Sequence, residues 1–285
     1  MNKTYIIAEI GLNFAFGTDK NSFLNNAKKL IDVSIDAGCD AVKFQKRDPD
    51  ICVPEKQKNK PKSVPWREEP TTYLQYKKDI EFSVEEYDEI NSYCKSKNIT
   101  WSASPWDLNS AKFLRQYDLP WVKIASASIT DLDLVQFCSD RFAKVILSSG
   151  MSTERDVICA MDLLLKSKAE PILLHCNSSY PAHVKDLNLS YIQKLKERYP
   201  KTTIGYSGHE FGLTTSAAAV YLGAEVIERH ITLSRDNWGS DQLASIEPAG
   251  LNKLVKSIRD LELAFGDGIK RITEDEKEKS KMLRK

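Results

Sequence analysis

SFLNNAKKLIDVSIDAGCDAVKFQK, residues 22–46, is the stretch on which the reading of the fold turns. Phe23, Leu24, Ala27, Leu30 and Ile31 recur at the spacing of one helical face, and Gly38 supplies a stop. Ala41 to Gln45 follows as a short β-rich run, and Tyr5 to Ile10 is another before it. Strand, helix and strand in this order lay the two strands parallel, with the helix as crossover.

The unit recurs along the chain. Further strand-like runs lie at Ile99 to Ala103, Trp121 to Ile124, Ala143 to Leu147, Ile172 to His175, Thr203 to Ser207 and Ala224 to His230. Between them stand amphipathic stretches such as SVEEYDEINSYCKSKN, STERDVICAMDLLLKSK and EPAGLNKLVKSIRDLELAFGDG. Eight strands alternating with helices predict an α/β fold, a single-domain (β/α)8 TIM barrel over residues 1–270, followed by a charged tail, 271–285. A doubly wound sheet with a dinucleotide site is disfavoured, because EIGLNFAFG has only two glycines at the wrong spacing. Arg47 to Ile80, rich in Lys and Pro, is expected to be an extended loop over the barrel mouth.

Lys plus Arg (41) balances Asp plus Glu (40), so no global field recruits nucleic acid or an acidic membrane. A small molecule is the expected partner. The six cysteines show no CxxC pair, which suits reduced thiols, and the N-terminus reads as a strand rather than a signal peptide. No run approaches the roughly 18 apolar residues that span a bilayer. A cytoplasmic location is the expectation.

Polar residues gather where the strands end. Asn13, Lys43, Gln45, Ser104, Lys123, Ser126, Ser148, Ser149, Asn177, Ser178, Tyr180, Ser207, His209 and His230 all lie at or just past a strand's C-terminal end, the catalytic rim of a barrel. His209 and His230, on adjacent strands, would be neighbours, and neutral imidazoles suit a divalent transition metal. His175 and His183 read as structural or solvated. Lys43 and Lys123 lie on core-facing strands, where an unpaired ammonium is costly. Each either pairs with Glu9 or Glu228 or faces an anionic ligand, and the surrounding serines favour the ligand. Cys176 reads as a packed thiol with no evident base.

Together YIIAEIGLN, AGCDAVKFQK, WVKIASAS, VILSSGMS, LLHCNSSYP, IGYSGHE, LGAEVIERHITL and GSDQLASIEP resemble the sialic acid synthase family from about Tyr5 to Gly268. The resemblance implies a barrel that condenses phosphoenolpyruvate with an N-acetylated amino sugar, typically N-acetylmannosamine, and releases phosphate. It implies a divalent metal, manganese or magnesium, on His209 and His230. Lys43, Lys123, Ser126, Ser148, Ser178, Tyr180 and Ser207 would surround the phosphoenolpyruvate, with Ser104 on the same rim. Gln45, Tyr73 and Asp241 would stand near the acceptor sugar. A homodimer is also implied, as are legionaminate or pseudaminate synthesis as alternatives that differ in the acceptor pocket.

Two departures accompany the match. The family carries Asn-His-x-Gly after the first strand, where this chain has Asn13-Phe14-Ala15-Phe16-Gly17, and some relatives have a carboxylate where this chain has Ser128. Glu210, Asp107 or a metal-bound water would then take over proton transfer, or the barrel would bind without turnover. Many relatives also continue into an antifreeze-like domain that contributes an arginine to the sugar's N-acyl group. The ending ITEDEKEKSKMLRK is read as lacking it, so that a dimer would rest on the barrel alone.

Overall fold

The structure, a computed structural model, describes residues 3–284. The barrel strands are β1 (Tyr5–Gly11), β2 (Ala41–Lys46), β3 (Thr100–Pro105), β4 (Val122–Ile124), β5 (Lys144–Ser148), β6 (Glu170–Cys176), β7 (Thr203–Gly208) and β8 (Val226–His230). Helices follow them in turn: α1 (Phe23–Asp36), α2 (Val84–Ser96), α3 (Leu108–Leu114), α4 (Leu132–Arg141), α5 (Glu154–Lys166), α6 (Tyr191–Arg198), α7 (Thr214–Tyr221) and α8 (Pro248–Ala264). The strand pairs of this sheet are parallel and run in sequence order, with β8 beside β1. The sheet's two ends, β3 and β4, lie side by side, and the Ser102 hydroxyl on β3 donates to the Trp121 carbonyl just before β4. The expected (β/α)8 barrel is therefore present as a nearly closed ring.

Side chains alternate along each strand, so every second residue enters the barrel. Low in the barrel these are apolar: Ile7, Ala41, Trp121, Ile146, Ile172, Leu174 and Val226 form one buried cluster. One pleat higher, the same strands present Glu9, Lys43, Lys123 and Glu228, all buried. A separate and larger apolar cluster fills the space between strands and helices, with Ile6, Ala8, Val42, Phe44 and Ile227 against Leu30, Ile31, Ile90, Leu254 and Ile258. An apolar plug thus floors a polar chamber.

The segment after β2 is more ordered than its Lys- and Pro-rich composition suggests. It forms short helices at Pro49–Cys52 and Glu55–Lys58, an antiparallel pair of Pro61–Lys62 with Thr71–Thr72, and a helix at Tyr73–Asp79. Aromatic packing holds it: Trp66 lies 4.9 Å from Phe23 and 5.0 Å from Trp238, and Tyr76 lies 5.5 Å from Trp238. Arg67 and the Trp66 indole both donate to the Asp79 carboxylate. The charged tail likewise contains a helix, Glu274–Leu283, which buries nothing and starts at a Thr273–Glu276 capping box.

Gly11 ends β1 with φ +53°, and a Cβ there would stand 3.1 Å from both Gln45 Nε2 and Glu9 Oε1. The left-handed backbone and the crowding both disfavour a larger residue. Gly11→Ala is expected to cost about 1–2 kcal/mol or more, measured as a lowered urea midpoint. An unchanged midpoint would show that the turn relaxes without penalty.

Candidate functional site

A cavity of about 200 Å³ opens at the C-terminal end of the strands. Its floor is an ion network. Lys43 Nζ lies 2.7 Å from Glu9 Oε2 and 3.7 Å from Glu228 Oε2, and Lys123 Nζ lies 2.8 Å from Glu228 Oε1. Strand register makes Glu9 the neighbour of Lys43 on one side and of His230 on the other. Both lysines therefore have carboxylate partners, the alternative that the serine-rich rim had made the less favoured. The hydroxyl of Ser207 donates to Glu228 (3.1 Å), Lys43 donates to Ser104 (3.1 Å), and the Gln45 amide donates to Glu9 (2.9 Å).

Burial would raise the Glu228 carboxyl, but Lys123 and Lys43 outweigh it and pull the pKa down to about 2. Glu9 goes the other way: burial dominates, Glu228 adds to it, and Lys43 offsets only part. Two cations thus face one firmly ionised carboxylate and one that holds a proton more readily.

The histidines stand beside this network with ring centroids 5.3 Å apart. His209 Nδ1 lies 2.7 Å from the Asn177 carbonyl, to which it donates, and this leaves Nε2 to accept from the Tyr180 hydroxyl at 2.8 Å. Burial works against a charged His209, yet Cys176 and the Asn177 carbonyl raise its pKa. Burial lowers His230 to about 3 despite the Asp241 carboxylate, 4.0 Å from its Nδ1. That buried Nδ1 has no hydrogen-bond partner. His230, with an unpartnered nitrogen, and His209, whose Nε2 would have to exchange the Tyr180 hydroxyl for the ion, fit an ion held on one side only. No group of three or more His, Cys, Asp or Glu side chains suited to a metal occurs among the described residues.

The serine rim divides. Ser126 and Ser178 line the cavity around Gly150, whose amide donates to Ser126 Oγ at 3.1 Å. A Cβ on Gly150 would fall 2.1 Å from Ser178 Oγ, so only glycine brings the backbone so near. Ser104, Gln45, Tyr180 and Asp241 also line the cavity, whereas Ser148 and Ser207 are buried outside its lining. Ser207 is bonded to Glu228, and the buried Ser148 hydroxyl has no partner. Tyr73 stands outside the lining, 5.6 Å from Tyr76.

Neither carboxylate offered as a replacement acid or base lies in the cavity. Asp107 caps α3 and accepts from the Asp48 amide and the Ser110 hydroxyl. Glu210 is fully buried between Tyr206, Thr215 and Arg229, and Arg229 also binds the Glu210 carbonyl at 2.6 Å. Their work is to fix loops. Cys176, expected to be inert packing, lines the cavity with Sγ 3.8 Å from His209 Nδ1. Burial opposes its ionisation, but His209 and Lys123 bring it down to about 7. Where the altered turn follows β1, Phe14 stacks on Phe82 at 4.1 Å, and Asn13 ties the turn to Ile231 O and Ser245 Oγ. Arg47, Lys77 and Trp106 line the mouth. Sequence reading had not assigned them: the place of Lys77 depends on the fold of the segment after β2, and Trp106, just past β3, is brought to the mouth beside Arg47 by the pairing of β2 with β3.

The sequence model of the NeuB family matches residues 30–270. The N,N'-diacetyllegionaminic acid synthase of Campylobacter jejuni is 37% identical over 288 aligned residues, covering 100% of this chain and 84% of that protein. The N-acetylneuraminate-9-phosphate synthase of Homo sapiens is 33% identical, covering 94% of this chain and 73% of that one. A crystal structure of the N-acetylneuraminic acid synthetase of Leptospira borgpetersenii, in complex with citrate, superposes with a TM-score of 0.84 at 33% identity, covering 100% of this chain and 93% of that one.

Lys123→Met leaves Glu228 with Lys43 as its nearest cation and is expected to cost about 3–5 kcal/mol. Lys123→Met with Glu228→Leu should recover part of that loss in urea denaturation; equal losses would show that pairing does not hold the floor together. The depressed Glu228 pKa has a fixed sign. Its stabilisation is complete above the ordinary value of 4.5 and fades as pH falls toward 2. The double variant should therefore lose less stability than the wild type across that window.

Proposed function

We propose, from a chain that belongs to the NeuB family and is a phosphoenolpyruvate-dependent nonulosonic acid synthase by that membership, that it joins phosphoenolpyruvate to N-acetylmannosamine or a related N-acetylated sugar. The product is N-acetylneuraminate or a related nonulosonic acid. Carbon 3 of phosphoenolpyruvate attacks the sugar aldehyde, water adds at carbon 2, and the bond from carbon 2 to the phosphate oxygen breaks to release inorganic phosphate.

One observation supports this reading above the others: a paired Lys–Glu network, two imidazoles and a Ser–Gly rim converge in one cavity of the barrel mouth. His209 and His230 would hold a divalent manganese or magnesium ion, which as a Lewis acid polarises an aldehyde oxygen. The remaining work falls to this chain's own groups. Lys123 and Lys43 are held in place by Glu228 and Glu9, and so offer fixed nitrogens to the anionic substrate and to the departing phosphate. The Ser126 and Ser178 hydroxyls add donors beside Gly150. Glu9, whose pKa burial raises, is placed to take or return a proton at the chamber floor. Phe14 and Phe82 form an apolar wall where the family turn carries a histidine, so the acid–base work moves to the floor.

Phosphate release from phosphoenolpyruvate with N-acetylmannosamine, and with 2,4-diacetamido-6-deoxyhexoses, tests the proposal. Release should require manganese or magnesium and cease with chelator. His209→Ala and His230→Ala should each lower kcat/KM by at least about 100-fold and weaken manganese binding in calorimetry. Unchanged metal affinity in both variants would sink the ligand assignment, and absence of release with every sugar would sink the synthase reading.

A further inference from the structure

A second pocket, of about 710 Å³, lies beside the ends of β5 and β6, between the start of α5 and the start of α6. Its volume falls within the roughly 300–1,000 Å³ of small-molecule sites. Met151, Cys176 and Ser178 line both this pocket and the chamber, so the two share a wall. Ser149 and His175 belong to the lining of the second pocket and not to that of the chamber.

Those two residues each bring a polar atom with nothing to bind. His175 is 7% exposed and Ser149 8%, and neither His175 Nδ1 nor Ser149 Oγ has a hydrogen-bond partner among the described residues. The Ser149 amide donates to the Leu174 carbonyl at 3.0 Å, which sets Ser149 next to His175 across the β5–β6 ladder. His175 Nε2 lies 2.6 Å from the Leu187 carbonyl and therefore carries the proton. Burial lowers the pKa of the ring, against the backbone of Leu187 and Asn188, so the imidazole stays neutral and Nδ1 is a bare acceptor. Each of these two atoms costs free energy while it is unmet.

The kind of group that meets both atoms follows from what each lacks. A hydroxyl donates and accepts at once and serves the pair, whereas a carboxylate or phosphate oxygen has no proton to give Nδ1. The rest of the lining disfavours an anion too: it contains Glu154 and Asp186 and no Lys or Arg. The start of α5 is closed as well, because Thr153 and Asp156 form a capping box and Glu154 and Asp156 make the first turn acidic. An ammonium fits no better, since Glu154 and Asp186 are exposed and a cation on His175 and Ser149 would be buried unpaired. Tyr191, with its ring centroid 5.4 Å from that of His175, adds an aromatic surface to the same pocket. Aromatic surface beside a few placed hydrogen-bonding groups suits a ligand with hydroxyls around an apolar face.

We propose that this outer pocket is a second binding site, for an uncharged pyranose, with one ring hydroxyl bridging Ser149 Oγ and His175 Nδ1 and the ring lying against Tyr191. The site goes beyond the synthase reading and does not rest on it, because Ser149, His175 and Tyr191 have no part in the reaction proposed above. A purely structural role for His175, as a clip on the Leu187 carbonyl, uses Nε2 alone and leaves Nδ1 and the Ser149 hydroxyl unexplained.

The test is calorimetric titration of the full chain with the methyl α-glycosides of glucose, galactose and mannose, whose blocked anomeric carbon presents no aldehyde to the chamber. The wild type should bind at least one of them saturably, and should bind glucuronate about tenfold more weakly than that glycoside. Ser149→Ala, His175→Phe and Tyr191→Ala should each weaken binding by about tenfold. Tyr191 is only half-buried, so Tyr191→Ala keeps the test open should His175→Phe fail to fold. Gln45→Ala and Asp241→Asn, at the chamber, should leave the affinity unchanged. No saturable binding of any glycoside by the wild type would overturn the site and leave the two atoms to a bridging water. Binding lost in Gln45→Ala or Asp241→Asn but kept in the three pocket variants would put the sugar in the chamber and overturn it equally. Glucuronate bound as tightly as the glycosides would overturn the uncharged class.

Discussion

Charge can be kept inside a barrel only if it is paired where it sits, and the floor of this chamber is built around that constraint. Lys43 and Lys123 come from different strands and would be intolerable alone at their depth. Glu9 on β1 and Glu228 on β8 reach them, so the network also staples β1, β2, β4 and β8 across the ring. Two lysines and two glutamates leave the floor formally neutral while presenting cationic nitrogens upward. Such a floor can meet an anion without having been destabilised by its own field. The apolar plug of Ile7, Trp121, Ile146 and Leu174 beneath it excludes water from the other side, which strengthens each pairing.

Above the floor, two devices prepare the walls. The loop after β7 is clamped by Arg229, which binds the Glu210 carboxylate and carbonyl and the Gly212 carbonyl from within the barrel wall. The segment after β2 is clamped by Trp66, Tyr76 and Trp238. The first sets where His209 stands, and the second sets where Lys77 stands. Mouth and floor are thereby held by different parts of the fold. The aromatic segment can then vary in sequence without disturbing the charges beneath it.

What could be read from the sequence followed from periodicity. The period of two along Tyr5 to Gly11 and Val226 to His230 marks Glu9, Glu228 and His230 as inward, and that logic identifies the chamber. Helical spacing and glycine stops gave the alternation of strands and helices. Two kinds of residue escaped. Arg47, Lys77 and Trp106 sit in or opposite a segment whose order comes from aromatic packing over long sequence distances, and no local pattern announces it. Asp107 and Glu210 looked available for chemistry because sequence shows a carboxylate but not its partners; a helix cap and a buried arginine had already claimed them. Thr273 and Glu276, by contrast, spell a capping box within four residues, so the tail helix was locally legible.

The hydrogen bond from His209 to the Asn177 carbonyl settles more than a distance. It fixes which ring nitrogen carries the proton and removes the half-turn by which an imidazole exchanges its two faces. Rotational and tautomeric freedom that a ligand would otherwise have to freeze is already gone when the chain has folded. Because β6 and β7 are adjacent strands of the same ring, the rigidity comes from the sheet itself. The entropy of ordering this side chain is charged to folding, and whatever binds there has only the Tyr180 hydroxyl to displace from a ring already held still.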